Sequence, residues 1–226
     1  MLSFNNVDFS FPSQPVFADL NFYLDSEEFI FLIGKSGAGK STLLQLVYMN
    51  IFPQAGTVQV GKYDSKTIKS RDLPHLRRKI GIVFQDFRLL MDRNIYDNLA
   101  FVLEVTNTPQ SEIKKKVNNA LTDVGLNHRR MSKPGELSGG EKQRIAIARA
   151  IINDPIIILA DEPTGNLDPE TSVEILEILK RINSRGTAVL FATHNYELVK
   201  KHNAKIIKLE NGKAYKAVIK GTSRNI

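Results

Sequence analysis

The chain contains no cysteine, which excludes disulfide bonds, thiolate metal sites and cysteine nucleophiles. No apolar run approaches the roughly 20 residues that a membrane-spanning helix requires. The N-terminus, Met-Leu-Ser-Phe-Asn-Asn-Val, lacks the basic and apolar regions of a secretory signal. No glycine- or serine-rich linker, low-complexity segment or internal repeat divides the chain. We therefore expect a soluble cytoplasmic protein.

The 226 residues are 42% hydrophobic, which is enough for a substantial core and one or two domains. The formal net charge is +7, which permits a nucleic-acid or anionic-membrane partner without specifying either. Cationic clusters occur at residues 77–79 and 114–116, and we interpret each as a solvated helix face. The charge alone therefore identifies no partner.

Residues 29–42 are an apolar strand, a glycine-rich loop and the start of an apolar helix. Gly, four residues, Gly, Lys and then Ser or Thr is the pattern of a phosphate-binding loop. Its glycines let the backbone curl, so that N–H groups and the positive end of the helix point at phosphate oxygens. The lysine reaches the β- and γ-phosphates, and the serine hydroxyl can hold Mg²⁺. The predicted phosphate-binding residues are Gly34, Ser36, Gly37, Ala38, Gly39, Lys40, Ser41 and Thr42.

A second buried strand ends in the adjacent carboxylates Asp161 and Glu162. Such a pair is costly unless a cation or a proton-bearing group meets it. A phosphate-bound Mg²⁺ would supply that partner for Asp161, which leaves Glu162 to orient and deprotonate water. His194 follows a third buried strand, at the same strand end, and we expect it to contact the γ-phosphate. Gln85, just past another core strand, is unremarkable by itself.

Leu137-Ser138-Gly139-Gly140-Glu141 begins a long helix. Ser138 and Glu141 have the spacing of a capping box, so the segment is, at the least, a well-capped helix start. Two glycines in the first turn cost roughly 1 kcal/mol each relative to alanine. That cost is better explained if the backbone closely approaches a ligand such as a phosphate. Asp168, followed by proline, predicts the cap of a further helix.

The remaining elements follow from apolar periodicity and turn residues. The predicted strands cover 4–11, 16–24, 29–33, 57–60, 80–84, 156–160, 188–193, 206–209 and 214–219, with an Asn-Gly turn in the last pair. The first predicted helix covers about 40–50 and is ended by Pro53 and Gly56. Residues from about 88 to 135 have helical patterns without buried strands, which indicates a helical insertion. Phe11 is a candidate adenine platform, although an aromatic residue in a strand is more often part of the core.

Together, in this order and spacing, these motifs resemble the nucleotide-binding subunit of ATP-binding-cassette (ABC) ATPases, over nearly the whole chain. The resemblance implies an α/β phosphate-loop NTPase fold with a mixed sheet core, an N-terminal antiparallel β part and a helical insertion. It implies a single domain over 1–226, in which 1–86 and 150–226 form the α/β core. Residues 87–149 are then the insertion that carries the signature motif.

The resemblance also implies a head-to-tail dimer that encloses two ATP molecules with Mg²⁺. One subunit supplies the adenine platform Phe11 and the catalytic or phosphate-contacting residues Lys40, Gln85, Glu162 and His194. The metal ligands are Ser41, Gln85 and Asp161. The partner subunit caps the γ-phosphate with its signature residues Ser138, Gly139, Gly140 and Glu141, and Asp168 communicates across the interface.

Two residues depart from the commoner pattern of the family. Phe11 stands where tyrosine is usual, but phenylalanine keeps the π-face. Glu141 stands where glutamine is commoner, and we expect this change to be tolerated because glutamate keeps the capping role.

Residues 160–168 are similar to the group of lipoprotein-release, macrolide-efflux and cell-division ATPases, and residues 84–100 look most like its cell-division members. In such proteins this second stretch receives the coupling helix of a membrane partner. The resemblance thus implies a separate integral membrane protein that docks near Gln85–Asn98 and switches on cell-wall hydrolases. It also implies a peripheral location on the inner face of the bacterial plasma membrane.

Three alternatives stay open from the residues. In the first, the chain is the ATPase of a lipoprotein-release or efflux transporter. In the second, it is a soluble ABC ATPase acting on nucleic acid or iron–sulfur assembly. In the third, it is a non-hydrolysing ATP switch. The basic charge supports the second, but the chain has neither a second cassette nor a long coiled-coil or zinc insertion, so no nucleic-acid partner is expected. Glu162 argues against the third.

Overall fold

A computed structural model describes residues 1–202 and 204–218. In these residues two β-sheets are combined with helices that connect the strands. The strands are β1 (Leu2–Phe11), β2 (Gln14–Leu24), β3 (Phe29–Ile33), β4 (Ala55–Val60), β5 (Tyr63–Asp64), β6 (Ile80–Val83), β7 (Ile157–Asp161), β8 (Ala188–Thr193), β9 (Lys205–Glu210) and β10 (Lys213–Ala217). The helices are α1 (Lys40–Val47), α2 (Leu73–Arg78), α3 (Ile95–Val105), α4 (Gln110–Asp123), α5 (Gly139–Ile151), α6 (Pro169–Asn183) and α7 (Tyr196–Lys200).

The first sheet is antiparallel, with strand order β2-β1-β4-β5. The second has the order β10-β9-β3-β8-β7-β6, in which β10 is antiparallel and the other strands are parallel. The predicted α/β fold, with its mixed core sheet and antiparallel N-terminal part, is confirmed. Because β3, β6, β7 and β8 run parallel, the loops that follow them meet at one edge of the sheet.

Apolar side chains form two cores, one on each face of the mixed sheet. One core joins β1, β2 and β4 to α1 and to the near face of the mixed sheet. The other joins the opposite face, for example Phe31 and Phe191, to α5, α6 and the helices inserted between β6 and β7. Leu99 of α3 and Val117 of α4 belong to this second core and are fully buried. The inserted helices therefore share a core with the sheet, which α3 and α4 reach mainly through α5.

The first helix is shorter than its sequence predicts. It ends at Val47, with Tyr48 as its C-cap, and Met49 then adopts a left-handed conformation with φ of 52°. Pro53 and Gly56 therefore do not end it. Gly56 instead lies in β4, where a side chain would meet the carbonyl oxygen of Asn6 at 2.1 Å.

The closing hairpin has the predicted Asn-Gly turn. Asn211 and Gly212 both have positive φ, 49° and 73°, as a tight two-residue hairpin turn requires. They connect Glu210 to Lys213, which are paired across the ladder. The predicted end of this hairpin, Ile219, lies outside the described residues.

Candidate active site

The loop between β3 and α1 is shaped by glycines. Gly37 and Gly39 have φ of 77° and 96°, in the left-handed region that favours glycine. A Cβ at Gly39 would also lie 2.8 Å from Val16 Cγ1 and 3.0 Å from the Phe17 ring. Gly39 is the N-cap of α1 but offers no side-chain cap, so the first N–H groups of the helix remain available to an anion.

Lys40 lies inside this curl, and its residue is only 7% exposed. Its Nζ donates to the carbonyl oxygens of Gly34 at 2.9 Å and Lys35 at 3.3 Å. The same atom lies 3.3 Å from Glu162 Oε1. The loop therefore holds a positive charge at the centre of the candidate phosphate site.

Glu162 follows β7 and lies between Lys40 and His194. Its Oε2 accepts a hydrogen bond from the backbone N–H of His194 at 3.2 Å and lies 2.9 Å from His194 Nδ1. The residue itself has a left-handed backbone, with φ of 48°, which is uncommon for a side chain of this size. The Glu162 carboxylate thus joins three chain segments, those of Lys40, Glu162 and His194. The sequence could link these segments only through their motifs.

Asp161 is partly buried beside Glu162. Burial raises the pKa of Asp161, and the nearby Ser41 hydroxyl only partly offsets this effect. Its Oδ1 is enclosed and, among the residues that the structure describes, has no hydrogen-bond partner. An enclosed oxygen without a partner is costly in a folded protein unless a ligand satisfies it.

The oxygen atoms of Asp161, Ser41 and Gln85 are of the type that Mg²⁺ prefers, and Asp161 Oδ1 has a ligand position to spare. Within the described part of the chain, no group of three or more His, Cys, Asp and Glu side chains could hold a metal by itself. A magnesium ion that is held through one carboxylate, a hydroxyl and an amide oxygen, together with substrate phosphates, needs no such group. The residues therefore fit the ion.

Replacing Asp161 with asparagine is expected to stabilise the protein in the absence of nucleotide and Mg²⁺. The pKa of Asp161 is raised on folding, so its ionised form is disfavoured in the folded state; the penalty is present at neutral pH and disappears as the pH falls below the unfolded value. Relief of roughly 1 kcal/mol, a low figure because the carboxylate is partly solvated, raises Tm by about 2–4 °C. Thermal unfolding at neutral and acid pH measures this, with exposed Asp92→Asn as the control.

Gln85 is fixed against the turn that follows Glu162. Its Nε2 donates to Asn166 Oδ1 at 3.2 Å, and Asn166 Nδ2 donates back to the Gln85 carbonyl oxygen at 3.4 Å. A Cβ at Gly165 would lie 2.9 Å from Gln85 Nε2. Asn166 is therefore a site residue that sequence reasoning did not single out.

A cleft of about 420 Å³ collects most of the predicted nucleotide-binding residues. Phe11 is 42% exposed at its rim and packs edge-on against Phe9, with ring centroids 5.1 Å apart. Gln14 and Val16 line the cleft without having been predicted; Gln14 is paired with Phe11 across β1 and β2, so the hairpin pattern contained the signal. Gly34, Ala38 and Asp161 do not line it. The lining residues are Phe11, Gln14, Val16, Ser36, Gly37, Gly39, Lys40, Ser41, Thr42, Gln85, Glu162 and His194.

Comparison with known proteins identifies this arrangement. Residues 17–165 match the family described as ABC transporter. The chain is 50% identical over 187 residues to the cell division ATP-binding protein FtsE of Mycobacterium tuberculosis, covering 83% of this chain and 81% of that protein. It is 44% identical over 193 residues to FtsE of Escherichia coli, covering 85% and 87%. The chain belongs to the FtsE group of ABC ATPases.

Solved structures also support the assignment of the chain to the ABC ATPases. The post-hydrolysis dimer of the ATP-binding cassette MJ0796, bound to ADP and Pi, has a TM-score of 0.84 and 31% identity, covering 98% of this chain and 100% of that one. CbiO1 of Clostridium perfringens, part of a CbiONQ transporter complex, has a TM-score of 0.87 and 28% identity, covering 95% and 86%. The chain binds and hydrolyses ATP.

The signature residues of this FtsE-type chain do not line the cleft. The capping box is confirmed: Ser138 Oγ accepts from Glu141 N–H at 3.2 Å, and Glu141 Oε2 accepts from Ser138 N–H at 2.8 Å. These hydrogen bonds, together with one from Arg129, hold the pKa of Glu141 below its ordinary value. Ser138 and Gly139 are exposed.

Packing within the chain also helps to explain the glycine pair 139–140. A Cβ at Gly140 would lie 2.5 Å from Thr171 Cγ2, and Thr171 is held by the N-cap Asp168 through its N–H at 2.9 Å and its hydroxyl at 2.6 Å. The helix cost of this glycine is thus explained in part by contact with α6. At Gly139 a Cβ would meet only Leu167 Cδ2, at 3.3 Å.

The segment after Gln85 is held by side chains from α5 and α3. Phe87 and Arg88 are consecutive left-handed residues, with φ of 58° and 51°, a strained arrangement for side chains of this size. Arg149 of α5 donates to both of their carbonyl oxygens, to Phe87 O at 2.7 Å. Asn98 of α3, only 1% exposed, accepts from Leu90 N–H at 2.7 Å and donates to its carbonyl oxygen at 3.0 Å. Sequence reasoning did not identify Arg149.

Proposed function

We propose that the chain is the ATP-hydrolysing subunit of an FtsEX-type cell-division complex, in which ATP-driven dimer closure moves an FtsX-type membrane protein that activates cell-wall hydrolases. The observation that carries the proposal is the convergence of the phosphate loop, Glu162 and His194 on one cleft, together with a signature motif that lies outside it. A site of this kind is incomplete until a second copy supplies its signature.

In this proposal each residue has a distinct task. Lys40 and the N–H groups of residues 37–42 bind the phosphates and neutralise their charge. Glu162 accepts the proton of the attacking water, and His194 holds Glu162 and faces the γ-phosphate. Phe11 stacks on the adenine. Mg²⁺, held by Ser41, Asp161 and Gln85, would neutralise charge on the β- and γ-phosphates.

The second copy is proposed to bind head-to-tail. Ser138, Gly139 and Gly140 of one copy then cap the γ-phosphate held by the other, with Glu141 as the N-terminal brace of the helix. The exposure of Ser138 and Gly139, and their absence from the lining of the chain's own cleft, support this arrangement. Asp168 lies next to the signature through Thr171 and Gly140, which suits a role at the same interface.

We also propose that residues 1–226 form one ABC ATPase domain, with 87–149 as the insertion between parts 1–86 and 150–226. The shared core supports a single domain, because the inserted helices α3 and α4 and the core strands contribute to one buried cluster. A unit with a shared core folds cooperatively.

The membrane partner is proposed to dock near Gln85–Asn98. Met91 is 60% exposed in this segment, and Arg93 lies 4.6 Å above the ring of partly exposed Phe101. A groove of about 420 Å³ is lined by β6, α2, α3 and Arg149. The Arg149 side chain connects the groove to this segment through its hydrogen bonds to Phe87 and Arg88. In the described residues no helix is long and apolar enough to cross a bilayer. Because the proposed partner is a membrane protein, we propose a peripheral location on the cytoplasmic face of the membrane. No nucleic-acid partner is proposed.

Purification from detergent-solubilised membranes tests the proposal. The tagged chain is expected to retain an FtsX-type protein, and Met91→Glu is expected to lose most of it because a buried charge has no partner at an apolar contact. Tyr215→Glu, which changes an exposed residue on β10 at the opposite edge of the sheet, is the control and should retain it. Recovery of a lipoprotein-release type of membrane subunit would instead favour a transporter.

A further inference from the structure

One short segment in the first half of the chain is strongly cationic. Residues 61–79 contain seven lysines and arginines but only two carboxylates, Asp64 and Asp72, so the segment has a formal net charge of +5. The segment includes the turn between β4 and β5, the following loop and α2. We call its cationic surface the basic face; its members are Lys62, Lys66, Lys69, Arg71, Arg77, Arg78 and Lys79.

The cations of the basic face lack counter-charges. Among residues 1–202 and 204–218, none of the seven lies within ion-pair distance of a carboxylate. Arg77 donates to the carbonyl oxygens of Tyr48 and Met49, at 3.2 and 3.0 Å. By contrast, Lys116 is paired with Asp154 at 3.0 Å, and Lys200, Lys205 and Lys208 are paired with Glu197, Glu28 and Glu210. The basic face thus differs from these other cationic stretches because, among the described residues, it forms no ion pair.

Three members of the basic face line a polar cleft of about 720 Å³. Lys62, Arg78 and Lys79 line it together with His75 and the two carboxylates, and Thr108 and Asn153 supply further polar groups. The Asp64 carboxylate accepts a hydrogen bond from the backbone N–H of Lys66 at 2.8 Å. Lysine and arginine heads around such a cleft are suited to phosphate oxygens, to which they donate charge-assisted hydrogen bonds.

The basic face is continuous with the groove beside the docking segment. The polar cleft and that groove share Arg78, Thr106 and Asn153 as lining residues. If the membrane partner docks near Gln85–Asn98, the basic face therefore stands close to the membrane surface. In this respect the inference rests on the proposed function.

We propose that the basic face binds the anionic phospholipid headgroups of the membrane surface, alongside the protein partner. Cations within a Debye length of an anionic leaflet are each attracted to it, and the effects of several add. Such a contact orients the ATPase before or during docking and does not depend on ATP chemistry. It also assigns a role to the charge that the ATPase activity does not use.

Sedimentation with vesicles tests the proposal without the membrane partner. The intact chain is expected to bind vesicles of phosphatidylcholine mixed with phosphatidylglycerol, to ignore phosphatidylcholine alone, and to be released by salt. Removing one charge should weaken binding about fivefold, so the triple variant Lys62→Gln, Arg78→Gln, Lys79→Gln should lose about 100-fold. These side chains have no carboxylate partner, and unchanged Tm and ATP affinity verify that the variant folds.

A matched control variant distinguishes binding through the basic face from a general effect of net positive charge. Lys114→Gln, Lys115→Gln, Lys133→Gln removes the same charge elsewhere and should bind anionic vesicles like the unmodified chain. Equal loss in both variants, or no binding of the unmodified chain, overturns the proposal. Release by millimolar inorganic phosphate would overturn it in favour of a phosphate pocket, and preference for duplex DNA over vesicles in favour of nucleic acid. A partner that co-purifies while vesicle binding fails would leave the proposed function standing and remove this one.

Discussion

Glu162→Gln is expected to lower ATP turnover by about 10²–10⁴-fold, the range that a positioned general base contributes. The amide has nearly the same shape and can still contact Lys40 and His194, which lie 3.3 and 2.9 Å from the two carboxylate oxygens. It cannot accept the proton of water. Steady-state phosphate release and an ATP titration together measure the effect.

ATP affinity of this variant should be unchanged or higher, because a negative charge beside the phosphates has been removed. The ATP-bound dimer should therefore accumulate, and size-exclusion chromatography with ATP detects it. Glu104→Gln, which makes the same change at an exposed helix position, is the control. Unchanged turnover would remove Glu162 as the base, whereas lost ATP affinity would show that its role is in binding.

Mixing two inactive variants is expected to restore hydrolysis. Lys40→Ala removes the charge at the centre of the phosphate loop, and Ser138→Asp puts a carboxylate at the signature. Aspartate caps helices as well as serine does, so α5 should keep its start while the γ-phosphate of the other copy is repelled. Each variant alone should lose at least about 100-fold in turnover, the cost of one transition-state donor.

The mixed dimer contains one intact site, built from Lys40 of one chain and Ser138 of the other. In an equal mixture half of the dimers are mixed, so turnover should recover to about a quarter of the unmodified value if the sites act independently. Ser138→Asn, a neutral cap of the same size, is the control for the charge. If mixing restores nothing while Ser138→Asp alone has lost monomer ATP affinity, the signature acts within its own chain.

Local chemistry accounts for the parts of the fold that the sequence predicts well. Ser138 and Glu141 cap α5, and Asp168 caps α6, because each cap needs only neighbours three residues away. The phosphate loop is equally local. These elements could be predicted from the sequence because each depends only on residues within the element itself.

The remainder depends on contacts between distant residues. The Lys40–Glu162 pair joins two strand ends that only the parallel sheet brings together. The end of α1 at Val47 has no local stop signal, because Tyr48 and Met49 are not residues that usually end helices. The left-handed pair after Gln85 contains no glycine and is supported from α5. The sequence motifs predict that Lys40 and Glu162 share a site, but they predict neither their direct contact nor the other two features.

Arg149 connects the C-terminal end of α5 to the segment after Gln85. The helix has 13 residues, so it is about 20 Å long, with the signature in its first turn and the grip on residues 87 and 88 near its last. A tilt of about 10° around the Arg149 end moves the first turn by about 2.5 Å. Hydrogen bonds tolerate a few tenths of an ångström. If the signature caps a phosphate as proposed, a small pull on the segment after Gln85 would therefore be enough to engage or release that phosphate.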